Sequence, residues 1–226
     1  MIRITKPDRV LKGTVYLTAS KSESNRVLII QALCKERFKI NNLAEAQDTQ
    51  TLQEILKGEE SVQLNKVLQN LKHEIEYNAG PSGTTFRFLT AYFSTLDLTR
   101  TLNGTERMKE RPIKILVDSL KKLGAKIEYT EKNGFPPLKI TGSKLKGREL
   151  EIDGSVSSQF ISALLLIAPT LENGLTLTFK GEVISRSYIL MTIRIMNYFG
   201  VDVLWDGNKI AIPEQNYKAK DFTVEA

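Results

Sequence analysis

Three short polar turns carry the side chains best suited to chemistry: SKSESNR at 20–26, GPSGTTFR at 80–87 and DGSVSSQF at 153–160. Each mixes hydroxyl or amide donors with glycine or a cation, and each opens onto an apolar stretch that reads as a helix. A helix start exposes unpaired N–H groups and a partial positive charge, so three starts near one axis make a donor pocket for an anion. In the first turn Lys21 stands at the helix start and Arg26 about one turn in. The helix dipole disfavours cations there, and an anion would compensate. In the second, Gly80 and Gly83 let the backbone approach a ligand with no Cβ in the way. That turn is neither a Walker loop nor a dinucleotide fingerprint. The third supplies Ser155, Ser157, Ser158 and Gln159, whose side chains hydrogen-bond phosphate or hydroxyl oxygens. Taken singly, each turn is equally well a plain N-cap, with Glu23 a favourable first-turn acid and the cations in solvent. Their recurrence favours the anion site.

Two further segments belong with these turns. TERMKERP, residues 105–112, reads as a mixed-charge loop ahead of a helix that Pro112 starts. Arg111, fixed beside that proline, can offer a planar two-pronged donor to phosphate or carboxylate. ISRSYI, residues 184–189, again sets Ser185 and Arg186 before a helix, with Tyr188 just inside it. Tyr188 fits a core ring with a polar tip equally well. The single Cys34 and single His73 remove a disulfide scaffold and make a structural metal site improbable; Cys34 reads as inert core and His73 as an exposed bystander.

These segments must be positioned by a fold, and the chain alternates strand-like and helix-like stretches throughout, which argues α/β. Expected strands are Arg3–Thr5, Thr14–Leu17, Phe38–Leu43, Ser61–Leu64, Glu74–Tyr77, Thr99–Asn103, Lys126–Tyr129, Leu138–Thr141, Arg148–Ile152, Leu175–Phe179, Asp202–Trp205, Lys209–Ile212 and Phe222–Glu225. Expected helices are Ser22–Cys34, Thr49–Leu56, Thr84–Phe93, Ile113–Leu123, Ser157–Ala168 and Ser187–Tyr198. The polar turns recur at intervals of roughly 60–75 residues, which predicts three copies of one supersecondary unit around a pseudo-threefold axis. The last strand reads as the opening of a fourth repeat that is cut at Ala226. The 226 residues carry 32 Lys and Arg against 26 Asp and Glu, a net charge of +6. That charge admits nucleic acid, an anionic membrane surface or small acidic substrates as partners. No apolar run is long enough to span a membrane and no signal peptide is visible, so the cytoplasm is the expected compartment.

KSESNR at 21–26, AGPSGTTFR at 79–87, LNGTERMKERP at 102–112, GSVSSQFISALL at 154–165 and ISRSYI at 184–189 together resemble the serial signatures of one family. It is the 3-phosphoshikimate 1-carboxyvinyltransferase family, also called 5-enolpyruvylshikimate-3-phosphate synthase, the glyphosate target in the shikimate pathway of aromatic amino-acid biosynthesis. The resemblance runs from about Gly13 to the C-terminus. It implies the inside-out α/β barrel of enolpyruvyl transferases, built here from three βαβαββ units. It implies that Lys21 lies beside both substrates as the catalytic cation, and that Ser22, Arg26, Ser157, Ser158, Gln159, Ser185 and Tyr188 bind shikimate-3-phosphate. Phosphoenolpyruvate would be held by Lys21, Gly83, Arg111 and Gln159, with Gly83 lining the glyphosate pocket. No metal or organic cofactor is implied.

The family has six repeats in two domains joined by two crossing strands. By that resemblance residues 1–19 are first strands and crossover, 20–220 the N-terminal three-repeat domain that binds shikimate-3-phosphate, and 221–226 the start of the second crossover. The expected partner is the C-terminal half of the same enzyme, in a full enzyme that is a monomer. The chain alone is expected to bind shikimate-3-phosphate without turnover, because the turns offer binding donors but no acid/base pair. Two rivals are an RNA module resembling the RNA 3′-phosphate cyclases and a non-catalytic interaction domain. The first lacks an evident aromatic platform for single-stranded RNA. The second sits poorly with an intact Lys21, Arg26, Arg111 and Ser-Ser-Gln turn.

Overall fold

Three helices are buried around nearly their whole circumference over most of their length and so lie inside the domain. α1 (Lys21–Leu33) buries every residue from Ser24 to Ile30. α3 (Gly83–Ser94) buries all but Thr84, and α6 (Ser158–Ile167) all but Gln159. The three pack on one another as a central bundle. Around them lie α2 (Gln47–Leu64), α5 (Lys114–Lys122) and α7 (Arg186–Tyr198), each with one apolar face: Leu116, Val117 and Leu120 of α5 are buried while Lys121 and Lys122 face water. A single-turn α4 (Glu106–Lys109) precedes α5. The computed structural model describes residues 12–64 and 75–226. The expected strand Arg3–Thr5, Glu74 and His73 lie outside them.

Two four-stranded sheets cover the helices. One has the order β2-β3-β5-β4, from Ile75–Asn78, Thr99–Asn103, Leu138–Thr141 and Lys126–Tyr129. The other has the order β6-β7-β9-β8, from Glu149–Asp153, Leu175–Lys180, Lys209–Ile212 and Leu204–Asp206. In both the first pair is parallel and the next two are antiparallel. Burial alternates along β3 and β7, so each sheet has one face on the helices and one towards solvent. Helices inside and sheets outside, in two units of the same βαβαββ topology, make an α/β domain of the expected inside-out kind.

The remaining unit closes differently from expectation. Thr14–Leu17 forms no strand: Val15, Tyr16 and Leu17 are 81, 90 and 70 % exposed. Instead β10 (Phe222–Thr223) pairs in parallel with β1 (Ile40–Asn41), as β2 pairs with β3 and β6 with β7. The C-terminal strand therefore takes the place of the strand before α1. Ser20 N–H donates to the Glu225 carbonyl at 2.8 Å, and Glu225 N–H to Glu23 Oε2 at 3.1 Å, tying the two segments together.

Ser61–Leu64 also departs from expectation, continuing α2 instead of forming a strand. Val62 extends the buried series Leu52, Ile55, Leu56, Glu59 at helical spacing, which outweighs the roughly 1 kcal/mol that Gly58 costs mid-helix. Residues 106–109 of the expected loop are helical, and α5 starts at Lys114 behind an Ile113 N-cap rather than at Pro112. The other elements match to within a residue or two, apart from the shorter β1 and β10 and the later start of β8 at Leu204.

One buried ion pair fastens α2 to the second unit. Arg100 donates through Nε to Glu59 Oε2 at 2.7 Å and through Nη2 to Oε1 at 2.5 Å, with both side chains all but inaccessible. Tyr77 Oη adds a third bond to Glu59 Oε2 at 3.1 Å. Burial first, and the Glu59 carboxylate next, hold the Tyr77 hydroxyl well above its ordinary range. Removing one partner strands the other charge in the core. Glu59→Ala is expected to lower the unfolding free energy by about 3–5 kcal/mol in urea titration, and the joint Glu59→Leu, Arg100→Met change by much less. A single-variant loss under about 1 kcal/mol would contradict this role for the pair.

Candidate functional site

Each inner helix begins with a serine cap. Ser20 Oγ accepts from Glu23 N–H at 3.3 Å, Ser82 Oγ from Thr85 N–H at 3.1 Å and Ser157 Oγ from Gln159 N–H at 3.4 Å. The plain capping reading of these turns is thus correct as local structure. It does not exhaust them, because the three starts are stitched together. Gln159 Nε2 donates to Thr84 Oγ1 at 3.0 Å, joining the sole unburied residues of α6 and α3. Lys21 Nζ pairs with Asp48 Oδ2 at 2.8 Å, while Thr85 Oγ1 donates to the Asp48 carbonyl at 3.0 Å. Asp48 therefore bridges the first and second turns, and it supplies the anion that Lys21 needs at a helix start.

Two arginines meet over Gly83. A Cβ built on Gly83 would overlap both Arg87 Nη1 and Arg111 Nη1, so glycine is what lets the two guanidinium groups lie against the backbone. Among the described residues neither arginine has a carboxylate partner. Arg87 is 4 % exposed, donates through Nη1 to Gln159 Oε1 at 2.6 Å and lies 4.8 Å from the centre of the Phe160 ring. Its Nε is buried and unpaired among the described residues. Burial, and then the neighbouring Arg111, lower the Arg87 guanidinium to about 10. Two like charges side by side at a helix start favour an anion close by, which would ease both the repulsion and the desolvation.

Arg26 lies beneath the site rather than on it. It is 3 % exposed and donates through Nε to Thr192 Oγ1 (2.7 Å), Nη1 to the Ser22 carbonyl (2.7 Å), and Nη2 to Ser162 Oγ (3.1 Å) and the Tyr188 carbonyl (3.3 Å). One Nη1–H of its five donors is left. Burial lowers its guanidinium to about 10, against smaller opposite pulls from Tyr188 and Glu23. Its bonds hold the starts of α1 and α7 together. Ser185 stands before α7 in the left-handed region, φ 52° and ψ 35°, with no side-chain cap bond to the helix. Tyr188 is 46 % exposed rather than core, and Arg186 stacks over Trp205 at 4.2 Å. Lys21, Ser22, Ser157 and Arg111 reach the surface of the same region, Ser158 is buried, and Cys34 is half-buried with Sγ against the Tyr217 carbonyl.

The structure thus joins the three polar turns and Arg111, and adds Asp48, Thr84 and Arg87, which the sequence reading passed over. Arg87 had a signal: a lone cation within the apolar run TTFRFLTAYF demands a buried partner. Asp48 had only its place in the first turn of α2, where an acid is ordinary.

Fold and site together define an α/β domain of like repeated units whose inner helix starts converge on a cluster of cations and neutral donors. The chain belongs to the EPSP synthase (3-phosphoshikimate 1-carboxyvinyltransferase) family, whose sequence model matches residues 4–226. It is 45 % identical over 217 residues to the 3-phosphoshikimate 1-carboxyvinyltransferase of Bacteroides fragilis strain YCH46, covering 96 % of this chain and 50 % of that protein. The Sulfurovum sp. (strain NBC37-1) enzyme of the same name is 42 % identical over 210 residues, covering 88 % of this chain and 49 % of that one. The structure of EPSP synthase from Acinetobacter baumannii superposes with a TM-score of 0.74 at 21 % identity, over 94 % of this chain and 49 % of that one, a likeness of fold. The chain spans about half the length of the curated relatives it matches. Among the described residues no helix is long and apolar enough to cross a membrane.

The Gly83 geometry is directly testable. Gly83→Ala must push Arg87 and Arg111 apart, so its affinity for inorganic phosphate, read by isothermal titration, is expected to fall about tenfold or more. Unchanged affinity would show that the arginine pair packed on Gly83 does not create the anion's site, whether through Arg111 directly or through Arg87 and Gln159.

Proposed function

We propose that this chain is the shikimate-3-phosphate-binding half of a 3-phosphoshikimate 1-carboxyvinyltransferase, and that turnover requires the other half. The observation that carries the reading is the junction of the Ser157-Ser158-Gln159 turn with Thr84 and Arg87, beside the Arg87–Arg111 pair. In this reading Ser157, Ser158, Gln159, Ser22, Ser185 and Tyr188 donate to the phosphate and hydroxyls of shikimate-3-phosphate. Arg26 adds its remaining Nη1–H and fixes the backbones of Ser22 and Tyr188. Gly83 and Arg111 seat phosphoenolpyruvate, with Gln159 reaching both ligands. Lys21 exchanges Asp48 for the negative charge between them. Family membership replaces the RNA-module alternative.

The reaction is addition followed by elimination. The 5-hydroxyl oxygen of shikimate-3-phosphate bonds to C2 of phosphoenolpyruvate as C3 takes a proton. The 5-hydroxyl proton is lost, and a C3 proton then leaves as the C2–O bond to phosphate breaks, restoring the double bond. This chain's cations stabilise the phosphate and carboxylate charges throughout. The proton-transferring groups are assigned to the second half, since Asp48, the carboxylate joining the first two turns, already holds Lys21. Residues 20–220 are the binding domain, and segments 1–19 and 221–226 are the two connections to the partner half. The exposed apolar Val15, Tyr16 and Leu17, and the bond from Ser20 N–H to the Glu225 carbonyl just after them, support that assignment. A cytoplasmic location and a monomeric full enzyme complete the reading.

The test mixes the chain with the separately produced C-terminal half of the Bacteroides fragilis relative. Phosphate release from shikimate-3-phosphate and phosphoenolpyruvate is expected from the mixture and from neither half alone. Full activity of this chain by itself would overturn the division of labour, and failure of shikimate-3-phosphate to bind it would overturn the substrate assignment.

A further inference from the structure

Gln159 is a two-faced ligand: its carbonyl can only accept and its amide can only donate. A negatively charged substrate needs the amide edge, yet the two edges differ by a simple half-turn of the side chain. Something must fix which edge faces the ligand. Arg87 Nη1 donates to Gln159 Oε1 at 2.6 Å, a bond that only the carbonyl edge can receive. The amide edge is thereby turned to Thr84, where Nε2 donates to Oγ1 at 3.0 Å, its second N–H without a partner among the described residues.

Arg87 is itself held for this purpose. It is 4 % exposed, its guanidinium carbon stands over the Phe160 ring, and Nη1 lies against Gly83, where any side chain would displace it. We propose that Arg87 is a positioning residue that sets the orientation of the Gln159 amide, acting on the substrate through Gln159 rather than by its own contact. Without it the flipped amide presents a carbonyl oxygen to an anion, which repels it. The ligand part of this inference rests on the substrate reading above; the orientation part does not.

The experiment uses the whole 226-residue chain, labelled with 15N. The Gln159 side-chain amide signals are assigned by their loss in Gln159→Glu. With no ligand added, these signals are expected to be ordered in the native chain, averaged by fast motion in Arg87→Met, and partly restored in Arg87→Lys, whose ammonium still donates but lacks the planar fork. Should Arg87→Met fail to fold, judged by amide dispersion, Arg87→Lys alone carries the comparison. Equal order of the Gln159 amide in native chain and Arg87 variants would overturn the proposal.

Titration with shikimate-3-phosphate supplies the second readout. Arg87→Met and Gln159→Ala are each expected to weaken binding about tenfold, and the double variant no further than either single one. Losses that multiply in the double variant would mean that Arg87 touches the ligand itself, against the proposal. If the native chain binds no shikimate-3-phosphate, the substrate reading fails, while the ligand-free amide signals still decide whether Arg87 orients Gln159.

Discussion

The constraint on which this molecule turns is that three buried helices must begin side by side. Each helix start carries about half a positive charge, and like ends repel by something on the order of 1 kcal/mol each. Lys21, Arg87 and Arg111 add full charges at the same place. The core decides the contest, since every fully buried Phe, Leu or Ile contributes about 1.5–3 kcal/mol. Phe86, Phe88, Leu89 and Phe93 of α3 and Ile161, Leu164, Leu165 and Ile167 of α6 are all buried. Packing therefore holds the starts together against their repulsion. What remains is a patch of uncancelled positive potential, offset among the described residues by Asp48.

This arrangement redefines the charge excess of +6. Many surface lysines face carboxylates, as Lys109 does Glu131, Lys114 Asp118, Lys180 Glu151 and Lys209 Glu149. Such exposed pairs are worth about 0–1 kcal/mol each and say little about function. Arg26 and Arg87 are different. Both are buried, both are lowered by desolvation, and both are met by hydroxyls, carbonyls and an amide instead of carboxylates. Neutral partners leave their charge uncancelled, so both add to the positive potential of the neighbouring site.

The second and third units were legible in the sequence because each has a polar turn, an all-apolar helix and a hairpin of alternating strands. The Asp206–Asn208 turn between β8 and β9 is an example of a local signal that local chemistry honours. Long-range closure was not legible. Nothing in TVYL distinguishes a strand from an exposed segment, and nothing in FTVE announces a partner at Ile40–Asn41, nearly the whole chain away. Ser61–Leu64 misled because SVQL alternates like a strand, whereas the preceding Leu52, Ile55, Leu56 and Glu59 impose a helical face on Val62. In the site, residue types at helix starts were readable because donors there have one common use. The roles of Arg87 and Asp48 were not, because they lie in bonds formed only on folding, to Gln159 for Arg87 and to Lys21 and Thr85 for Asp48; the lone cation in the run TTFRFLTAYF signals only that Arg87 needs a buried partner.

The central claim, that the converging helix starts hold an unmet demand for a phosphorylated anion, is tested most directly by ligand-linked stability. The urea midpoint of the chain would be followed against increasing shikimate-3-phosphate, with unphosphorylated shikimate and sodium chloride of matched ionic strength as references. A saturable rise with shikimate-3-phosphate, well above both references, is the predicted result. Equal effects of all three would contradict the account, because general screening would then satisfy the site as well as its proposed ligand.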